Sequence, residues 1–103
     1  MERYYLKPIE KQNQKGFGHN AEVEVRKDGT KVLYSYLRKM AKITPNGSLV
    51  RLVGHGKEEY KGEMKSLNDS PVVMRHLVAF CVANGLPAIT KKAWNDMPRL
   101  GDR

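Results

Sequence analysis

The stretch DSPVVMRHLVAFCVANGLPAITKKAWNDM, Asp69 to Met97, decides the fold, because almost every helix end in it carries a start or stop signal. Asp69 and Ser70 offer N-cap oxygens, and Pro71 suits a first helical position. An apolar run follows from Val72 to Ala83, and Asn84-Gly85 supplies a left-handed stop, so the pattern predicts a helix over 70–84. After the Leu86-Pro87 break, Thr90 caps a second helix over 90–97, with Ile89 and Trp94 spaced as a hydrophobic staple. In the first helix Val73, Leu77, Phe80 and Cys81 stand at i, i+4, i+7 and i+8, and Val72, Ala79 and Ala83 widen that face. A helix this apolar must lie against a sheet.

The sheet belongs to residues 3–53. Residues 3–9 read as an edge strand ended near Pro8, and 11–20 as a polar loop. Ala21 to Arg26 alternates cleanly, with Ala21, Val23 and Val25 on one face. Lys27-Asp28-Gly29-Thr30 predicts a two-residue type I′ hairpin. A third strand starts at Lys31 and is expected to continue through Met40 to Ile43, with a bulge or bend near Arg38-Lys39. Thr44-Pro45-Asn46-Gly47 is a further turn, and Ser48 to Val53 returns as the fourth strand. Residues 54–69 form a charged, glycine-marked loop, a candidate contact region, and the tail from Pro98 is expected to fray. The prediction is one α+β domain over 1–103: an antiparallel β-meander of about four strands packed against a C-terminal helix, followed by a short second helix.

A chain of 103 residues, 40% hydrophobic and 29% charged, is too apolar for a disordered protein. It is also large enough to bury roughly 60–65% of its unfolded surface without a metal or disulfide. The one cysteine, Cys81, falls within the apolar helix and reads as a buried hydrophobe in a reducing compartment. Residues 1–7 have no apolar signal core, and no segment approaches the roughly 20 apolar residues of a membrane span, so the expected location is the cytoplasm. The net charge of +8 is distributed as +2 over residues 1–20, +4 over 21–53, −1 over 54–70 and +3 over 71–103, so the sheet and C-terminus are basic. Such a balance favours phosphate-rich or acidic partners.

Chemical motifs are sparse. His19, His55 and His76 lack metal-ligand spacing, which predicts no metal or other cofactor, and His76 reads as a packed, hydrogen-bonded helix histidine. Arg75 beside it either pairs with Asp69 or reaches a phosphate. Gly16-Phe17-Gly18 lacks the third glycine of a dinucleotide fingerprint, and no nucleophile elbow, P-loop or paired-carboxylate motif is present, so no enzyme is expected. The helix pair resembles a helix-turn-helix reader only superficially, because its first helix is too apolar to leave the sheet. The better candidate is a basic sheet surface, where Arg26, Lys31, Arg38, Lys39, Lys42 and Arg51 alternate with Tyr34 and Tyr36 and suit a phosphodiester chain. The competing reading places the tyrosines in the core and leaves the cations to solubilise.

Lys15-Gly16-Phe17 leading to Ala21 and Val23, Leu33-Tyr34-Ser35-Tyr36 with Ala41 and Ile43, and Ser70, Arg75-His76 and Phe80 before Gly85 form one ordered set. In that set the chain resembles a small domain family of unknown function found in phages and prophages of Gram-positive bacteria. It departs from the family pattern at Pro71-Val72-Val73 and Leu37-Arg38. The resemblance implies the fold and a phage setting, in the host cytoplasm, but no established activity. By analogy it suggests a non-enzymatic accessory or anti-defence inhibitor, anti-CRISPR-like, acting on a host nucleic-acid enzyme or nucleoprotein. The alternatives are a direct nucleic-acid-binding protein and a structural or homodimeric interaction module.

Overall fold

The computed structural model describes residues 2–7, 18, 20–36, 38–52 and 71–100. Five strands, β1 (Glu2–Tyr5), β2 (Ala21–Val25), β3 (Lys31–Ser35), β4 (Arg38–Ile43) and β5 (Leu49–Arg51), form one antiparallel meander in chain order. Among the described residues two helices follow, α1 (Pro71–Ala83) and α2 (Lys91–Asp96). The α+β meander is as expected, with five strands in place of about four. The 54–69 loop lies outside the described residues, as do Pro8, Ile9, His19, His55 and Asp69.

The extra strand comes from a turn where the sequence suggests a bend. Ser35 pairs with Arg38, so the chain reverses between them, with Tyr36 at φ 52° and its N–H donating to Asn20 O at 2.9 Å. The irregularity sits one step further along: the β3–β4 register shifts between Leu33 and Tyr34, opposite Lys39 to Ala41. This bulge makes Met40 the extra residue, and Met40 and Ala41 both join the core although they are consecutive.

The turn at Lys27 to Thr30 also differs from the expected two-residue form. Arg26 N–H donates to Thr30 O and Gly29 N–H to Arg26 O, leaving a three-residue loop with Gly29 at φ 94° and Asp28 Oδ1 accepting from Thr30 N–H. Thr44 to Ser48 repeats the arrangement with Gly47 at φ 90°. One left-handed residue at the third loop position satisfies this hairpin class, so only the glycine takes positive φ.

The core lies on the face that α1 covers. Ala21, Val23, Leu33, Ala41 and Ile43 meet Val73, Leu77, Ala79 and Phe80 there, joined by Leu6 and Trp94. Helix α1 ends as its sequence predicts: Gly85 takes φ 79°, its N–H donates to Val82 O, and Leu86 N–H donates to Cys81 O, a Schellman stop. Thr90 Oγ1 accepts from Ala93 N–H at 3.1 Å and caps α2, with Ile89 packed against the core that buries Trp94. The tail is tied down as far as Leu100, whose N–H donates to Arg51 O in a parallel bridge beside Leu52. No helix among the described residues is long and apolar enough to cross a membrane.

Candidate binding face

Alternation along the strands sends one set of side chains away from the helices. Glu22 and Glu24 of β2 take that side because Ala21 and Val23 take the other. Pairing then aligns Arg3 with Glu24, Tyr5 with Glu22, Glu22 with Tyr34, and Tyr34 with Lys39, while Val32 aligns with Glu24 and Lys42. The face turned away from α1 and α2 therefore gathers Arg3, Arg26 and Lys39 around Tyr34, with Lys42 on the same side and Glu22 and Glu24 as its described carboxylates.

The carboxylates engage the arginines. Arg3 reaches Glu22 Oε1 with Nη1 and Glu24 Oε2 with Nη2, both at 2.9 Å, and its guanidinium lies 5.0 Å from the Tyr34 ring centroid. Arg26 Nε donates to Glu24 Oε1 at 3.1 Å, and Tyr34 Oη donates to Oε2 at 3.4 Å. Burial pushes the Glu24 carboxyl upward, but hydrogen bonds from Arg26 and Arg3 outweigh it and hold the pKa below the ordinary range. Burial and the Glu24 charge raise the Tyr34 phenol against the pull of Lys39, Arg3 and Arg26, which places all four charges within electrostatic reach of that ring. Lys39 and Lys42 lie on the same face, and both are half-buried.

Of the six cations expected on one basic surface, the fold brings together Arg26, Lys39 and Lys42. Lys31, Arg38 and Arg51 point to the helix side, and this corrects the expectation. Lys31 aligns with Val25 and Ile43, and its Nζ donates to Asn84 Oδ1 at 2.6 Å, tying β3 to the end of α1. Arg38 pairs with inward Ser35 and is 2% exposed. Arg51 pairs with inward Ala41, and its guanidinium sits 4.9 Å from the Trp94 ring centroid and donates to Trp94 O at 2.9 Å. An arginine can be buried in this way because its stem is apolar and its planar head matches carbonyls and ring faces. Arg3, which orders the face, is absent from the expected set. Its signal was the Glu22, Glu24, Arg26 spacing, which marks a charged side of β2 in need of a neighbour.

Tyr34 and Tyr36 separate as well, since Tyr36 packs against the core and its ring lies 5.6 Å from the His76 ring. His76 Nδ1 is 2.7 Å from Ser35 Oγ, and both residues are buried. Burial lowers the His76 pKa to about 4, so the ring is neutral at pH 7. A serine–histidine contact is a nucleophile's geometry, but with 0% exposure at His76 no substrate meets this pair in the folded state, and its role is a helix-to-sheet link. Among the described residues no group of three His, Cys, Asp or Glu side chains is placed to hold a metal. Compared with known proteins, the chain matches no family, no curated protein and no solved structure.

Proposed function

We propose that the protein is a non-enzymatic binding module, a phage-type accessory or anti-defence inhibitor of the anti-CRISPR kind. It engages a host nucleic-acid enzyme or nucleoprotein in the host cytoplasm through the sheet face turned away from α1 and α2. The observation that carries this reading is the concentration of Arg3, Arg26 and Lys39 around the half-buried Tyr34, with Lys42 on the same face, on a protein of net charge +8. Lysines beside an aromatic ring suit a phosphodiester or an acidic protein surface that mimics one. The test is titration against fluorescent single-stranded and duplex DNA and RNA, and against RNA-loaded nuclease complexes, at low and physiological salt. Salt-sensitive binding that Lys39→Glu/Lys42→Glu abolishes is expected. Equal binding by the variant and the parent would refute the assignment to this face, and binding to free nucleic acid alone would favour a direct nucleic-acid-binding protein.

A second reading, a homodimeric interaction module, is favoured by β1, an edge strand whose Tyr4 and Tyr5 are 42% and 48% exposed. It requires a mass that doubles with concentration.

A further inference from the structure

The two edges of the sheet end differently. Along β5 the C-terminal chain closes the edge, since Leu100 N–H donates to Arg51 O and Leu100 bridges Leu52. β1 lies at the other end of the strand order, where no described strand pairs with its outer side and all four of its residues are exposed. Leu6 N–H donates to Ala21 O, and the β1–β2 register extends that hydrogen-bonded class to Tyr4 and Glu2. The peptide groups of Arg3 and Tyr5 therefore point outward, along the side that a further strand would take.

A second copy of β1 fits that side in one register. Antiparallel β1 edges related by a two-fold need the axis normal to the sheet, and residues paired across it then share a face. Registers near the middle of the strand are centred on Arg3, Tyr4 or Tyr5. Centring on Arg3 sets two arginines opposite each other, and centring on Tyr5 sets Arg3 opposite Lys7. Directly opposed like charges destabilise a strand pair. Centring on Tyr4 sets Tyr4 against Tyr4, Arg3 against Tyr5 and Glu2 against Leu6, so that no like charges oppose each other from Glu2 to Leu6. It also aligns Arg3 with Tyr5 as hydrogen-bonded pairs, the class that outward peptide groups require. Arg3 does not guard this edge with its charge, because Glu22 and Glu24 hold its guanidinium at 2.9 Å beside the Tyr34 ring.

We propose that two copies of the protein join antiparallel through β1, centred on Tyr4, so that two five-stranded sheets become one continuous sheet. This register rests on the homodimeric reading above and gives it a defined joint. Because the axis is normal to the sheet, the helices of both copies lie on one side and the faces that carry Arg3, Arg26, Lys39 and Lys42 lie together on the other. An edge joint this short buries little surface, so the dimer is weak and forms at protein concentrations of about 0.1–1 mM.

The test compares Tyr4→Cys and Tyr5→Cys in the full chain, both at exposed positions, with the oxidised parent as the control for buried Cys81. Across the axis the two residue-4 Cα atoms form a non-hydrogen-bonded pair about 4.5 Å apart, within disulfide reach. The two residue-5 positions are offset along the strands and stand more than about 7 Å apart, beyond it. In a glutathione redox buffer Tyr4→Cys should form a disulfide-linked dimer at least about tenfold faster than Tyr5→Cys. An equimolar mixture of Arg3→Cys and Tyr5→Cys supplies a second check, since these positions oppose each other at about 5.5 Å and should link to each other in preference to themselves. Sedimentation equilibrium of the reduced parent should show a mass that rises toward the dimer with concentration, and circular dichroism confirms that each variant folds. Equal or faster linkage of Tyr5→Cys would overturn the register while a rising mass still upheld the dimer. A mass that doubles without cross-linking at either position would move the joint away from β1 and overturn the proposal. A parent that stays monomeric to about 1 mM, with no linkage above its own control, would overturn the register and the homodimeric reading together.

Discussion

Arg51→Met tests whether a buried cation holds α2 against the sheet. Arg51 is 5% exposed, donates to Trp94 O at 2.9 Å and to Met97 O at 3.4 Å, and lies against the Trp94 ring. These carbonyls belong to the end of α2, where a cation also complements the helix dipole. A hydrogen bond from a charged donor contributes about 1.5–3 kcal/mol, and a desolvated cation–ring contact adds about 1–2 kcal/mol. Methionine keeps the stem's packing and removes the desolvation of a buried charge, which offsets part of the loss. The net expectation is about 2 kcal/mol of destabilisation, a fall in Tm of about 10 °C for a domain of this size. Trp94 is the single tryptophan, so its emission reports this joint alone while far-UV circular dichroism reports the whole fold. Urea unfolding followed by both signals should show an earlier midpoint and a red-shifted native emission for Arg51→Met, with Arg51→Lys between the two. An unchanged midpoint with unchanged emission would refute the clamp.

The fold favours neutral His76, with its pKa near 4 against an ordinary 6.5, so its contribution is complete above pH 6.5 and is lost as pH falls toward 4. That loss approaches about 3 kcal/mol, and urea midpoints of His76→Asn should be flatter between pH 6.5 and 4.5 than those of the parent. Glu24 acts in a different window, since its depressed pKa removes stability only below the ordinary value of 4.5. Gly85→Ala should lower stability by about 1 kcal/mol in thermal melts, because φ is 79° and an added Cβ meets nothing within 4 Å, which leaves backbone strain as the whole effect. The Cys81 thiol, fully buried with its pKa raised to about 11, should resist a disulfide reagent at mildly alkaline pH until urea unfolds the chain; rapid labelling of the native protein would contradict its burial.

Much of the local structure was legible because its causes are local. Gly85 stops α1 and Thr90 starts α2 through bonds that span at most five residues, and the Ala21, Val23, Val25 face follows from a two-residue period. The helix pair was readable almost to the residue. The β3–β4 turn was not, because Tyr36 takes a left-handed conformation without the glycine or asparagine that would announce it. A run that reads as one bent strand is two strands, and the bulge at Met40 then resets which residues face inward.

The candidate face was half legible for the same reason. Basic residues within 21–53 are plain in the sequence, and so is the charged side of β2. Arg38 and Arg51 look no different from Lys39 and Lys42 until pairing with Ser35 and Ala41 turns them toward the helices. The sequence by itself determined the α+β class, the helix ends, the glycine turns and the basic balance, since propensity, capping and charge act over a few residues. Tertiary structure alone decided which cations share a face, because strand register and one bulge set the side on which each lies, and a buried arginine is stable only where distant carbonyls and a ring converge on it.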